Sequence, residues 1–229
     1  MQDNSFGVAS FQQDSNNVTT FQRQLITWFP LRNSVVNKTH RNSRAFKSST
    51  TLAEANLKAD PLALAEAWQL ADPIYSEYSR GRNEQRLALA TFYFATGGDN
   101  WTNNEGWLSY DINECKWHSG SPFDQVCDAE SNYLRLHLDN NNLTGTIPAE
   151  TSFLSTLIYM DLSFNSLTGT IPSTLQNLTN LDDLNLAFNA LNGSITLGLF
   201  TQLTSLRHFS LTNNLLTGSI PSEVRNLQR

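Results

Sequence analysis

The sequence is short of charge, of cysteine and of long apolar runs, and each shortage excludes something. Charged residues make up 16% of 229, well under the roughly 25% of ordinary globular chains. The net charge is −6, and an acidic balance with no Lys/Arg cluster near the folded part argues against nucleic acid as a partner. Two cysteines are too few for a disulfide-dense miniprotein, yet they can form one bridge. Apolar runs last only a few residues, so none of them is a bilayer-spanning helix of about 20 residues or the h-region of a signal peptide. The motifs of catalysis are missing too. There is no Gly-rich phosphate loop, no G-x-S-x-G and no H-E-x-x-H. Four histidines are present. Two of them, His137 and His208, fall at exposed strand positions, where acid–base work would need a partner and a cleft. Asp182 and Asp183 form a carboxylate pair, but adjacent strand residues point to opposite faces. The residues therefore point to no enzyme, no cofactor and no metal.

What replaces the missing charge is Asn, Thr and Ser. Six N-x-[ST] sequons result, at Asn17, Asn37, Asn100, Asn142, Asn177 and Asn192, although an Asn- and Thr-rich chain produces several by chance. Charge is also uneven. Residues 1–50 carry Arg23, Arg32, Lys38, Arg41, Arg44 and Lys47 against Asp3 and Asp14, which is +4 and leaves −10 for the rest. This first segment is polar, with scattered Phe11, Phe21, Trp28 and Phe29 and no sustained period. It reads as a largely disordered basic leader or linker.

From residue 51 a helical pattern begins, with Leu52, Ala55, Leu57, Leu62, Ala65, Trp68 and Leu70 on i, i+3, i+4-like spacings around Pro61. Pro61 is expected to open the second of two short helices with Asp60 as its N-cap, and Asp72-Pro73 to stop it. A better helix is expected from about Asn83 to Ala95, with Leu87, Thr91 and Phe94 on the buried face and Gly97-Gly98 closing it.

The C-terminal half repeats itself. Aligning Tyr133, Leu157, Leu181 and Leu206 gives steps of 24, 24 and 25 residues. The copies read YLRLHLDNNNLTGTIP, LIYMDLSFNSLTGTIP, LDDLNLAFNALNGSIT and LRHFSLTNNLLTGSIP. Leu136/Leu138, Met160/Leu162, Leu184/Leu186 and Phe209/Leu211 alternate with polar neighbours, the period of a strand with one buried face. Stacked copies then make a parallel sheet. Asn141, Asn165, Asn189 and Asn214 fall where the chain turns inward, where an amide ladder can satisfy turn N–H and C=O groups. Gly145, Gly169, Gly193 and Gly218 permit a tight bend, and the Ile-Pro pairs at 147–148, 171–172 and 220–221 plug the core before an extended turn. Copy three has Thr196 in place of proline and one extra residue, so its outer side is expected to be irregular.

Residues between the buried pairs point outward. They form one column of Arg135, Tyr159, Asp183 and His208, a second of His137, Asp161, Asn185 and Ser210, and a third of Asp139, Ser163, Ala187 and Thr212. The first two columns are the candidate ligand-binding residues. At about 4.8 Å per strand the four copies span only about 15 Å.

The template L-x-x-L-x-L-x-x-N-x-L-x-G-x-I-P resembles the plant-type leucine-rich repeats of receptor-like kinase ectodomains, receptor-like proteins and polygalacturonase inhibitors. The resemblance covers residues 83–229. Upstream, ALATFYFATGGDNWTNNEGWLSYDINECKWHSG with Cys127 looks like that family's N-terminal cap: a helix, a tryptophan pair and Cys-x-Trp closed by a second cysteine. Leu87, Phe94, Trp101, Trp107, Leu108 and Trp117 are expected to cover the first repeat. A Cys115–Cys127 disulfide is expected and would stabilise the cap by roughly 3 kcal/mol in the chain-entropy model. Cys115, His118 and Cys127 have plausible zinc spacing, but a fourth ligand is lacking.

The expected fold is therefore α/β, a leucine-rich-repeat solenoid with its parallel sheet on the concave face and a helical, disulfide-containing cap. The expected domains are a leader over 1–50, a cap region over 51–132 and four repeats over 133–229, the last open-ended. The resemblance implies a recognition module binding a peptide, glycan or protein, in an extracellular or cell-surface setting where the sequons become candidate glycan sites. A cytoplasmic location would match the missing signal peptide. The stretch from Leu62 through ADPIYSEYSRGRNEQR looks closest to versions from microalgae such as diatoms, which implies a membrane anchor outside this chain. The alternative is a structural or protective repeat protein of inhibitor, adhesion or ice-interacting type. Thr144, Thr168 and Thr217 could form a Thr ladder for ice, but Asn192 breaks it. At the open end the expectation is either that the chain is a fragment of a longer array or that a partner covers Leu216, Ile220, Val224 and Leu227.

Overall fold

The computed structural model describes residues 60–117, 125–219 and 221–223. The leader, the first of the two expected helices, His118, Ile220, Val224 and Leu227 lie outside the described residues. Helix α1, Pro61–Leu70, starts as the sequence predicts: Pro61 opens it and Leu62 N–H donates to Asp60 Oδ1 at 3.1 Å.

Helix α2, Arg80–Ala95, begins three residues earlier than its apolar period indicates. Ser79 is the N-cap, accepting from Arg82 N–H at 3.2 Å. The first two turns carry no apolar periodicity, which is why the start was misplaced. The buried face differs as well. Thr91 is buried as expected, together with Arg86, Ala88, Leu89, Phe92 and Tyr93, whereas Leu87 and Phe94 are half-buried against the core. Helix α2 is wedged between α1 and the 3₁₀ turn Ala149–Phe153 of the first repeat, so more than one stripe of it is covered.

Aromatic residues fill the cap interior. Trp101 and Trp107 meet edge to face at 4.8 Å, Trp107 and Trp117 lie at 5.3 Å, and Trp68 and Trp117 lie at 5.8 Å. Three buried indole N–H groups donate to carbonyls: Trp68 to Leu108 O at 3.0 Å, Trp101 to Thr96 O at 3.0 Å and Trp117 to Ile112 O at 3.2 Å. Cys115 and Cys127 are joined as a disulfide, which takes both thiols away from the zinc alternative. Cys127 pairs antiparallel with Tyr133, so the crosslink anchors the entry to the first repeat.

Four strands follow: β1 Arg135–His137, β2 Tyr159–Asp161, β3 Asp183–Asn185 and β5 His208–Ser210. They form one parallel sheet in the order β1-β2-β3-β5, with Leu136, Met160, Leu184 and Phe209 in register. Short strands β4, Asn192–Gly193, and β6, Leu215–Leu216, make a second parallel pair along the flank. The outer side carries 3₁₀ turns at Ala149–Phe153 and Ser173–Asn177. Copy three, with its extra residue, is irregular on this side: a short α-helix, α3, Leu197–Gln202, stands where its neighbours have 3₁₀ turns.

The asparagine ladder is laid out rung by rung. Asn165 Oδ1 accepts from Asn141 and Leu143 N–H at 3.1 and 2.9 Å, while its Nδ2 donates to the carbonyls of Leu138 and Leu162 at 2.8 and 3.0 Å. Asn189 and Asn214 repeat the pattern. Asn141 ties the ladder to the cap instead, exchanging bonds of 2.7 and 2.9 Å with the Asn103 backbone. Gly145 sits at φ +74, and a Cβ there would strike the carbonyl oxygen of Ala95 at the end of α2.

Burial thins toward the far end. Leu138, Leu162 and Leu186 are at most 1% exposed, whereas Phe209, Leu211 and Leu216 of copy four are half-buried. Among the described residues no helix is long and apolar enough to cross a membrane.

Candidate recognition surface on the concave sheet

Strand register places Arg135, Tyr159, Asp183 and His208 side by side, and His137, Asp161, Asn185 and Ser210 beside them. The sheet thus brings all eight candidate residues onto one face, on strands whose opposite face is locked into the leucine core. They do not play one role. Arg135 lies over the Tyr159 ring at 5.4 Å, and the His137 and Tyr159 rings meet edge to face at 5.5 Å. His137 Nε2 is 2.8 Å from Asp139 Oδ1, and His208 Nδ1 is 3.6 Å from Asp183 Oδ2. His208 is well exposed, whereas His137 is half-buried.

Asp161 is only 9% exposed. Its Oδ1 accepts from Ser163 N–H at 2.9 Å and Ser163 O–H at 2.7 Å, and its Oδ2 from Asn185 Nδ2 at 3.0 Å and Tyr159 O–H at 3.4 Å. This carboxylate orients its neighbours while keeping its charge under the surface. The third column is correspondingly less open than alternation implied. Ser163, whose hydroxyl folds back onto Asp161, and Ala187 are both buried.

Asp183 has its carboxyl pKa raised. Partial burial is the largest cause; His208 and Arg135 pull it down, while the neighbouring carboxylates Asp161 and Asp182 push it up. The face offers a guanidinium at one end, carboxylates in the middle and imidazoles on both sides, held by an aromatic ring. Such a face can take opposite charges of one ligand at fixed spacing. Among the described residues no group of His, Cys, Asp and Glu is arranged to hold a metal ion.

Two residues on the same side escaped the sequence reading. Phe164 and Phe188 are 55% and 41% exposed, with rings stacked at 4.3 Å. The available signal was the aligned position in copies one and four, which is Asn140 and Asn213. The flank carries exposed Thr144, Thr168 and Thr217. The hydroxyls of Thr168 and Thr217 donate inward to the carbonyls of Gly145 and Gly193 at 3.0 and 3.4 Å, which leaves no free ladder of hydroxyl donors.

Residues 134–191 match the family model described as leucine rich repeat, and residues 205–227 match a second model of the same description. No curated protein matches the chain. Among solved structures it is similar to the Arabidopsis receptor kinase HAESA in complex with the peptide hormone IDA and the co-receptor SERK1. That match is 26% identical, covers 66% of this chain and 24% of that one, and has a TM-score of 0.52. It is similar also to PEPR1 in the crystal structure of PEPR1-AtPEP1, at 27% identity, 62% and 19% coverage and a TM-score of 0.52. The plant peptide hormone receptor RGFR1 in complex with RGF2 is 43% identical over 42% of this chain and 15% of its own, with a TM-score of 0.41. The chain thus spans about a quarter or less of each of these receptors.

Proposed function

We propose that this plant-type leucine-rich-repeat chain is an extracellular, receptor-like recognition module whose concave sheet binds a peptide or protein ligand. In this reading residues 51–132 cap the solenoid, residues 133–229 form its four repeats, and 1–50 lead into it. The observation that carries it is the pair of in-register columns on the rigid sheet. Arg135, Tyr159, Asp183 and His208 present themselves to solvent or to a ligand, Asp161 and Asn185 buttress them, His137 packs edge to face on Tyr159, and Ser210 completes the second column. Function carried on side chains above a fixed scaffold is what a binding surface needs. The likeness to receptors crystallised with peptide partners supports the same use here. The Cys115–Cys127 disulfide supports an oxidising compartment.

The test is capture of peptides from a phage-displayed random dodecapeptide library by the full chain. Tyr159→Ala/Asp183→Ala should reduce binding of the selected peptides by about tenfold or more, the range of a central interface residue. Undiminished binding by the double variant would move the site off this face.

A further inference from the structure

Resting on that reading, we infer that Phe164 and Phe188 form a ligand-anchoring platform, and that the ligand is a peptide carrying an apolar side chain near a basic one. The backbone ladder continues past the strands through Phe164 N–H to Ala187 O at 3.0 Å and Phe188 N–H to Thr212 O at 2.8 Å. The backbone at both positions therefore continues the strand pairing beside the recognition face, and the exposed rings stand on it. Both residues have left-handed backbone, φ 54 and 55. That conformation suits Asn and is strained for a bulky side chain. Copies one and four use Asn140 and Asn213 there, with φ 48 and 54.

The fold itself thus favours asparagine at this position, and the two central copies have phenylalanine. Neither ring is rewarded by burial in the core. They touch each other and leave a flat apolar surface in water. Strain and exposure combined, at the two middle rungs alone, are the mark of a residue kept for what it contacts.

Charge selects the occupant. In the rungs that carry the phenylalanines the half-buried carboxylate on the recognition face is Asp183, with His208 at 3.6 Å, while Asp161 lies beneath the surface and Asp182 is paired with Arg207 at 3.1 Å. Partial burial, and after it Asp161 and Asp182, raise the Asp183 pKa against the pull of His208 and Arg135, and a ligand cation placed there would favour the ionised carboxylate. Asp183 stands four residues before Ala187, whose carbonyl accepts from Phe164 N–H, which puts the two positions within about 13 Å along the sheet. A peptide lying across these rungs can meet both with an apolar and a Lys or Arg side chain two to four residues apart. An acidic oligosaccharide would meet the wrong charge.

The same dodecapeptide library provides the test. Selected sequences should be enriched in a Phe, Tyr, Trp, Leu or Pro placed two to four residues from Lys or Arg. Phe164→Asn/Phe188→Asn should weaken their binding by about tenfold while leaving the melting temperature unchanged or higher, because Asn suits the backbone. A merely structural role for the rings would lower the melting temperature instead. If Tyr159→Ala/Asp183→Ala abolishes binding but Phe164→Asn/Phe188→Asn does not, the concave-face reading stands and the platform is overturned. Binding that survives both variants, or a library that yields no peptide, overturns both. Selection of acidic peptides, or binding of a neutral or acidic oligosaccharide lost in Phe164→Asn/Phe188→Asn, overturns the occupant assigned here.

Discussion

In the cap, Arg86 is buried as deeply as Leu89 three residues on, and Glu114 is buried with it. In the repeats the deepest charged side chain among the described residues is Asp161, just beneath the concave face. Arg86 donates to Glu114 Oε2 at 2.8 Å and to Asp72 Oδ2 at 3.0 Å, with Trp68, Tyr78 and Trp117 around its guanidinium at 5.0, 5.1 and 5.5 Å. Arg82 forks onto the same glutamate through two bonds of 3.1 Å. Gln85 bridges Glu114 to Tyr133 N–H of the first repeat. Every one of these contacts is unique. A rung of the asparagine ladder, by contrast, has equivalents one repeat above and below. The cap is held by a few irreplaceable bonds and the solenoid by many interchangeable ones, so damage should spread differently through each.

Arg86→Met should break the comparison hardest. It leaves buried Asp72 without its cation and Glu114 with Arg82 alone, and breaking a buried ion pair from one side costs about 3–5 kcal/mol. Trp68, Trp101, Trp107 and Trp117 lie in the cap and the repeats have no tryptophan. Tryptophan fluorescence should therefore report the loss at lower denaturant than far-ultraviolet circular dichroism, and coincident transitions would show that the cap is no separate weak point. Acid attacks the same cluster. Burial alone would raise the Glu114 pKa, but the Arg82 and Arg86 donors outweigh it and hold it below the ordinary glutamate value. Its folded pKa being depressed, the stabilisation is fully present above the ordinary value and is lost as pH falls through the folded one. The fluorescence midpoint should drop over that acidic range, and in Arg86→Met it should drop less.

Next in size is Cys115→Ser/Cys127→Ser, expected to cost roughly 3 kcal/mol in the chain-entropy model. Urea titration with and without reductant checks it, and wild type under reductant should match the variant. Asn165→Ala is smaller, about 1–3 kcal/mol for buried backbone groups left without partners. Amide exchange should quicken at Asn141 and Leu143 and stay slow at Leu191, two rungs away; uniform loss of protection would contradict the local character of the ladder. His208→Ala should do least, within about 0.5 kcal/mol, since the side chain is 73% exposed.

The repeats were legible because their information is periodic. Leu136, Met160, Leu184 and the four ladder asparagines could be assigned from spacing alone, and the columns Arg135 to His208 followed from strand alternation. The cap was legible only in part. Trp101, Trp107, Leu108 and Trp117 could be placed by their size and polarity, and the cysteine pair by resemblance to the family cap. Arg86 could not. A polar residue on a helix reads as solvent-facing until Asp72 and Glu114, 14 and 28 residues away, are brought around it. Leu87 and Phe94 were assigned the buried face for the same reason: an apolar period cannot register a buried salt bridge. On the concave face alternation gave the direction of Asp161 but not its burial, which depends on Ser163, Tyr159 and Asn185 closing over it.

The sequence by itself determined the repeat, its register and the identity of every surface column, because a 24-residue period forces equivalent residues into equivalent places. Tertiary structure decided which of those residues are free to meet a ligand and how the cap closes. Both depend on contacts between segments that share no period, where burial and partner choice are set only when the chain has folded around them.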